Sequence, residues 1–302
     1  MAPVPDPSII ASYQARIIDE IVRAMGLSPS GAVRRLIGPL FRLPARRLAG
    51  LLARADGEAP SSGLPGAARS ALADLALEPV VRGADRVPER GPLVIASNHP
   101  GAYDSLAIMA SVPRTDLKVM ISDAGLTRAF PACGGSFIYT PFTAAGGSRA
   151  LREAIHHLEG GGSLLIFPHV ELEPDPEVRP GAREALADWS PSLGIMLRRV
   201  PGARLQLAVA SGILLPRFIG SPIVKVRRRA SQRQKLAEAL QLVWQALFPK
   251  RVRPVIHLSF AAPLAAGDLP AGAAMPAIIE AAGRLLEDHM AAVRGTKNDT
   301  IP

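Results

Sequence analysis

Apolar side chains recur at helical spacing from the start of the chain: Ile10, Tyr13, Ile17, Ile21 and Met25 fall on one face of a predicted helix over residues 9–25. A second helical stretch over 32–55 is expected to break at Pro39 and Pro44, because proline removes an i→i−4 hydrogen bond. The segment GEAPSSGLPG, residues 57–66, has the composition of a flexible linker. From about residue 78 the pattern changes to short apolar runs alternating with helical ones. Strands are predicted over 79–82, 93–97, 117–121, 136–139, 163–167, 205–213 and 255–260. Helices are predicted near 104–112, 123–129, 148–159, 181–200, 231–247 and 274–292. Strands separated by helices imply an α/β fold with a mixed, largely parallel central sheet covered on both faces, preceded by an N-terminal helical region. The expected organisation is an amphipathic helical region over 1–56, a linker and short helix over 57–77, an α/β domain over 78–294 and a flexible tail over 295–302.

Composition adds direction to this outline. With 48% hydrophobic and 20% charged residues, a chain of 302 residues has an ordinary globular balance and can bury a large core. The single Cys133 cannot form an intramolecular disulfide, so it reads as a buried free thiol in a reducing compartment. The formal charge of +9 points to acidic partners. Only 4% of residues are aromatic, a poor supply of stacking platforms, and no nucleic-acid motif occurs, so nucleic acid is not among the expected partners. Between Glu20 and Asp56 there is no acidic residue, yet Arg23, Arg34, Arg35, Arg42, Arg46, Arg47 and Arg54 occur, interleaved with Leu36, Ile37, Leu40, Phe41, Leu48, Leu51 and Leu52. Such an element suits an anionic membrane surface; it equally suits packing on the main domain with a solvated arginine face. The charge-free stretch over 130–148 contains Pro131 and Pro141 and is too broken to span a bilayer. The start of the chain lacks the basic and apolar regions of a secretion signal. A cytoplasmic protein is expected, free or peripheral on the inner face of the cell membrane.

The segment PLVIASNHPGAYDSLAIM, residues 92–109, carries the chemistry. A buried-type strand runs into Asn98-His99-Pro100-Gly101, and a helix is predicted to start near Asp104. On one continuous helix His99 and Asp104 would lie about 140° apart, but the Pro-Gly break lets a turn bring them together. The Asp104 carboxylate could then bond one imidazole nitrogen and fix its tautomer, leaving the other free as a general base. The competing role for Asp104 is as the N-cap of the helix.

This Asn98-His99-(four residues)-Asp104 pattern after an apolar strand resembles the first motif of the glycerolipid acyltransferases, the phospholipid/glycerol acyltransferase or HxxxxD superfamily. A strand at Gly135-Ser136-Phe137-Ile138-Tyr139 occupies the place of the second motif, and a helix from Ser148 to Glu159 follows. Gly160-Gly161-Gly162-Ser163 then turns into Leu164-Leu165-Ile166-Phe167-Pro168, the opening of the third. The resemblance covers roughly residues 78–215. Two departures stand out: Tyr139-Thr140-Pro141 replaces the arginine that usually ends the second motif, and His169-Val170, with Glu171 and Glu173 beyond, replaces Glu-Gly in the third.

What the resemblance implies is a glycerolipid acyltransferase-like fold and a bacterial enzyme of phospholipid biosynthesis. An acyl group would pass from acyl-CoA or acidic acyl carrier protein, as co-substrate with no further cofactor, to a hydroxyl or amine of a lipid-like acceptor. His99 would be the general base, oriented by Asp104. Asn98, Gly101, Tyr139, Phe167, Pro168 and His169, at the motif positions, are candidates for substrate binding. Arg149 or Arg152 would stand in for the missing arginine, and Glu171 for the missing glutamate. The departures leave open whether glycerol 3-phosphate or lysophosphatidic acid is the acceptor. Two other readings stay open: a non-catalytic protein holding an acyl chain or acidic lipid on the same fold, and an acyl thioesterase. No GxSxG serine elbow is present, since Ala210-Ser211-Gly212 lacks the first glycine. His156, His157 and His169 have no zinc spacing, and no metal is expected. Gly146-Gly147-Ser148, ahead of the predicted helix, is a phosphate cradle or a plain N-cap. The basic run Lys225, Arg227, Arg228, Arg229, Arg233 and Lys235 is a solvated face or a contact for lipid headgroups or an acidic carrier.

Overall fold

The computed structural model describes residues 6–298 apart from Phe142, Val170 and Ala271. Helix α1 (Pro7–Ala24) opens on Asp6, whose carboxylate accepts from the Ser8 N–H. Helix α2 (Gly31–Asp74) opens on Ser30, whose hydroxyl accepts from Val33 N–H. The two pack side by side. Ala45, Ala49 and Ala53 recur every fourth residue and are buried against Tyr13, Ile17 and Ile21 of α1. Asp19 of α1 takes a bidentate ion pair from Arg34 of α2.

The expected breaks at Pro39 and Pro44 do not occur; both lie inside α2. Each ring forfeits one helical hydrogen bond, and the alanine seam of α2 against α1 supplies burial that offsets the loss. Residues 57–66, expected to be a linker, are likewise helical, interrupted only at Gly63. There φ is +65° and ψ −174°, a conformation open in practice to glycine alone. The interruption redirects the chain so that Leu64, Ala67, Ala71 and Leu72 can pack under the sheet, where apolar burial decides the structure against Gly-Pro-Ser composition.

The sheet comprises β1 (Val80–Arg82), β2 (Leu93–Ser97), β3 (Leu117–Ser122), β4 (Phe137–Thr140), β5 (Ser163–Ile166), β6 (Arg204–Ser211), β7 (His257–Phe260) and the short β8 (Leu264–Ala265). Its order is β1-β7-β6-β2-β5-β3-β4, with β8 on β6. The pairs β1/β7, β2/β5, β2/β6, β3/β4 and β3/β5 are parallel; β6 is antiparallel to β7 and β8. The helices are α3 (Ala102–Ser111), α4 (Ala144–Glu159), α5 (Ala182–Ala185), α6 (Ser192–Arg199), α7 (Pro216–Ile219), α8 (Ala230–Leu247) and α9 (Ala274–Asn298). The fold is thus the α/β class expected, with a largely parallel mixed sheet, covering helices and an N-terminal helical region.

Differences from the predicted elements are local. α3 and α4 begin two and four residues early, so Gly146-Gly147-Ser148 lie in the first turns of α4 behind the Thr143 cap. The helix expected over 123–129 is a 3-10 turn at Thr127–Ala129. The one expected over 181–200 is α5, a 3-10 turn and α6. Of the tail, residues 295–298 continue α9, and 299–302 lie outside the described residues.

All five residues of β2 are buried. Leu93 and Ile95 face the core beneath the second half of α2 and α3, while Val94 and Ala96 face the core beneath α4, α6 and α9. From β2 the chain goes to β3 and β4 on one side, returns to β5 beside β2, and then crosses to β6 on its other flank. The carboxyl end of β2 is therefore the point where the strand order reverses, and open α/β sheets place ligand sites at such points.

Candidate active site

His99 stands at that point, two residues beyond β2. The turn is fixed on both sides. Asn98 is buried, and its side chain closes a pair of hydrogen bonds with Ala210 of β6: its Nδ2 donates to the carbonyl (2.9 Å), and its Oδ1 accepts from the N–H (2.8 Å). Asn98 thus clasps the end of β2 to β6. From below, the backbone N–H of His99 donates to Glu173 Oε2 at 2.7 Å, and its carbonyl accepts from the Glu173 N–H at 2.9 Å. The other Glu173 oxygen accepts from Trp189 Nε1 at 3.0 Å. Burial pushes the Glu173 pKa up, against the pull of these N–H donors.

The His99 ring stacks on Phe167, centroid to centroid 4.2 Å. Its Nδ1 lies 3.0 Å and 3.2 Å from the two oxygens of Asp104, a fully buried carboxylate. Asp104 Oδ2 also accepts from the Gly101 N–H at 3.0 Å, so this residue caps the turn and holds the imidazole together. The capping role comes from inside the helix, since α3 begins at Ala102. A carboxylate only accepts, so Nδ1 carries a proton and Nε2 holds the lone pair of the neutral ring. Burial draws the His99 pKa down, but the Asp104 charge and hydrogen bond, with Glu238 and Glu173 behind them, outweigh it and hold it above the ordinary imidazole value.

Glu238, from α8, has no motif to announce it. Its carboxylate accepts from the Ala102 N–H at the start of α3, and burial pushes its pKa up to about 7. It also explains Gly101: a Cβ there would lie 2.8 Å from Glu238 Oε1 and 2.9 Å from Ile213 Cγ2. His99 and Glu238 open into a cavity of about 670 Å3, within the range of roughly 300–1,000 Å3 common to ligand sites. Its apolar walls come from α1 (Ile17, Ile21), α2 (Leu48, Leu51, Leu52) and α8 (Leu242, Val243).

Of the other predicted residues, Glu171 lines this cavity, whereas the glutamate that braces His99 is Glu173. Pro168 anchors the turn after β5 by accepting from the Ser190 N–H at 3.0 Å. His169 Nδ1 accepts from the Glu171 N–H at 3.1 Å and does not line the cavity. Tyr139 donates to the Thr127 carbonyl at 3.1 Å beneath the Arg128 guanidinium, away from His99. Neither Arg149 nor Arg152 lines the cavity; Arg149 acts electrostatically on Asp123.

The loop that supplies Glu173 continues with alternating carboxylates. Asp175 accepts from Gly212 N–H (3.1 Å) and Leu214 N–H (3.0 Å) at the end of β6. Glu177 accepts from Ser211 Oγ (2.6 Å) and His257 Nδ1 (2.7 Å). Because the Ser211 proton points to Glu177, its oxygen accepts from His289 Nε2 (2.8 Å), and His289 Nδ1 accepts from Ser259 Oγ (2.8 Å). This network is structural: Ser211 is fully buried, with no opening to a substrate. Cys133 is also buried, and burial pushes its thiol pKa up, as its reading as an inert thiol requires. Among the described residues no group of three or more His, Cys, Asp or Glu side chains is placed to hold a metal ion.

No protein-family model and no curated protein matches this sequence. Among solved structures, the chain is similar to the crystal structure of the 1-acyl-sn-glycerophosphate (LPA) acyltransferase, PlsC, from Thermotoga maritima, at 16% sequence identity and a TM-score of 0.49, over 92% of this chain and 96% of that one.

Proposed function

We propose that this protein transfers an acyl group from a thioester, acyl-CoA or acyl carrier protein, to a hydroxyl or amine of a lipid-like acceptor. The observation that carries the reading is the pairing of His99 Nδ1 with the buried Asp104 carboxylate on the wall of a largely apolar cavity. Nε2 takes the proton from the acceptor O–H or N–H as that atom attacks the thioester carbonyl. The new C–O or C–N bond forms, the tetrahedral intermediate collapses with loss of the C–S bond, and the imidazolium returns the proton to the departing thiolate. Asp104 stabilises the imidazolium between the two transfers. General-base assistance of this kind contributes about 10²- to 10⁴-fold, and no acyl-enzyme is needed. The acyl chain lies between α1, α2 and α8.

The test is thiol release from palmitoyl-CoA by the purified protein, with and without a bacterial total-lipid extract, beside His99→Ala. Lipid-stimulated release that the substitution abolishes is the expected result. His99-dependent release that lipid leaves unchanged would make the protein a thioesterase, and absence of His99-dependent release from CoA and carrier-protein thioesters would overturn the reading.

The same reading places the protein on an anionic membrane surface. Among the described residues no helix is long and apolar enough to cross a membrane. Yet Leu36 and Leu40 of α2 are 80% and 75% exposed, and Leu43 is also exposed. At 3.6 residues per turn the three form one stripe directed away from α1, flanked by Arg35, Arg42 and Arg46. An apolar ridge edged by arginines is the pattern of a helix lying in a lipid interface. Flotation of the full chain with anionic vesicles should be lost in a Leu36→Glu, Leu40→Glu variant; unchanged flotation would remove the membrane from the reading.

A further inference from the structure

The cavity beside His99 is not apolar throughout. Arg227, in the link between the 3-10 turn Pro222–Val226 and α8, lines it with Lys235 and Arg23. The Arg227 Nε is buried and makes no hydrogen bond among the described residues. Its guanidinium lies against Gly26, just past the end of α1. A Cβ at that position would overlap it, and the φ of +88° there is one that side chains other than glycine rarely adopt. The chain thus makes room for a guanidinium whose Nε it then leaves unanswered. A buried donor without an acceptor is unfavourable, and an anion bound at the cavity-lining part of the guanidinium would offset that cost. The other cations differ in state. Arg23 is held by Glu20 at 2.6 Å, whereas Lys235 is exposed and forms no ion pair among the described residues. Of the three acidic residues lining the cavity, Glu20 is taken by Arg23, Glu238 is turned to the Ala102 N–H, and Glu171 is exposed.

We propose that Arg227, assisted by Lys235, binds a phosphate ester of a substrate in the cavity that holds His99. The planar fork of a guanidinium matches phosphate oxygens two at a time, and an ammonium adds charge without direction. This subsite rests on the acyl-transfer reading for its purpose, and it gives part of the basic run over 225–235 a role other than solvation. The phosphate belongs either to the headgroup of the acceptor or to the phosphopantetheine arm of the donor; the shared chemistry is a phosphate ester a few atoms from the reacting group.

Phosphorus NMR titrations with inorganic phosphate, glycerol 3-phosphate and CoA test this without turnover. The proteins compared are wild type, Arg227→Met, Arg227→Lys, Lys235→Met and His99→Ala, each checked for folding by thermal unfolding. Wild type and His99→Ala should bind, Arg227→Met should lose at least about tenfold in affinity, Lys235→Met about threefold, and Arg227→Lys should recover part of the loss. Loss confined to glycerol 3-phosphate assigns the subsite to the acceptor, and loss confined to CoA assigns it to the donor; either supports the proposal. Equal binding by wild type, Arg227→Met and Lys235→Met, or no binding by any, overturns it. Should that occur while thiol release still depends on His99, acyl transfer stands and the subsite falls. Arg227-dependent binding without any turnover leaves the subsite standing and removes the acyl-transfer reading.

Discussion

Replacing Asp104 with Asn isolates the contribution of charge at this site. The Gly101 N–H points at Asp104 Oδ2 from 3.0 Å and admits only an acceptor there, so the amide carbonyl of the new side chain must take that position. The same oxygen is 3.0 Å from His99 Nδ1, so the imidazole keeps its tautomer and its hydrogen bond. What disappears is the negative charge opposite the imidazolium. For charge centres roughly 4 Å apart at an effective dielectric constant of about 20, their attraction is about 4 kcal/mol. A neutral hydrogen bond recovers about 1 kcal/mol of this. The difference, about 3 kcal/mol, corresponds to a loss of about 10²-fold in kcat/KM. With the Asp104 charge gone, the His99 pKa falls, so the acid limb of the profile moves to lower pH. The fold should stay intact, because the turn at Gly101 keeps its acceptor. Lipid-dependent thiol release from palmitoyl-CoA between pH 5 and pH 9 measures both effects. A variant within threefold of wild type, or one whose acid limb does not move, would refute the charge argument. A far larger loss with an unmoved limb would mean that the amide had turned over and reversed the tautomer.

Glu238→Gln keeps an acceptor for the Ala102 N–H while removing another charge that holds the His99 pKa up, so the acid limb should again shift to lower pH, by less than in Asp104→Asn; an unmoved limb in the kcat/KM profile would contradict this. Gly63→Ala places a side chain in a conformation reserved for glycine, with its Cβ 3.0 Å from the Thr115 carbonyl, and should destabilise by about 1–3 kcal/mol in denaturant unfolding. His289 is kept neutral by burial and by nearby His257, its pKa drawn down to about 4. Since the unfolded chain takes up this proton below about 6.5, stability should fall by about 2 kcal/mol from pH 7 to pH 5. A His289→Gln variant should lack that part of the acid sensitivity, and identical pH dependence in the two proteins would show that His289 is not its source.

The readable parts of the site were those whose geometry is set within a few residues. His99, Gly101 and Asp104 share one strand-to-helix turn, and a turn is written in local chemistry. Glu238 reaches the same point from α8, more than 130 residues later, and Glu173 from a loop whose alternating carboxylates carry no spacing rule. Both act by hydrogen bonding to backbone N–H groups, which leave no trace in sequence. Arg149 and Arg152 were expected on the logic of replacement in the neighbouring helix, but α4 does not bring them into the cavity. The strands at the centre were legible because β2 and β5 are apolar on both faces. Residues 57–66 misled for the opposite reason: their composition is that of a loop, while their neighbours Leu51, Ala55, Leu64 and Ala67 bury a continuous apolar face that sustains the helix on both sides of Gly63.

The pairing of α1 with α2 has a consequence for how this protein can be taken apart. Ile17 and Ile21 on one helix and Leu48, Leu51 and Leu52 on the other form one side of the chamber that His99 looks into. The first 56 residues are therefore not a detachable anchor. Cutting them away would unroof the chamber and wet its interior, so a shortened chain that fails to turn over would say nothing about lipid attachment. In the proposed membrane reading, anchor and container would share the same two helices, with the arginine-edged ridge outward and the chamber wall inward. A bilayer pressing on that ridge, as proposed, would act one helix diameter away from the space where the acyl chain would lie.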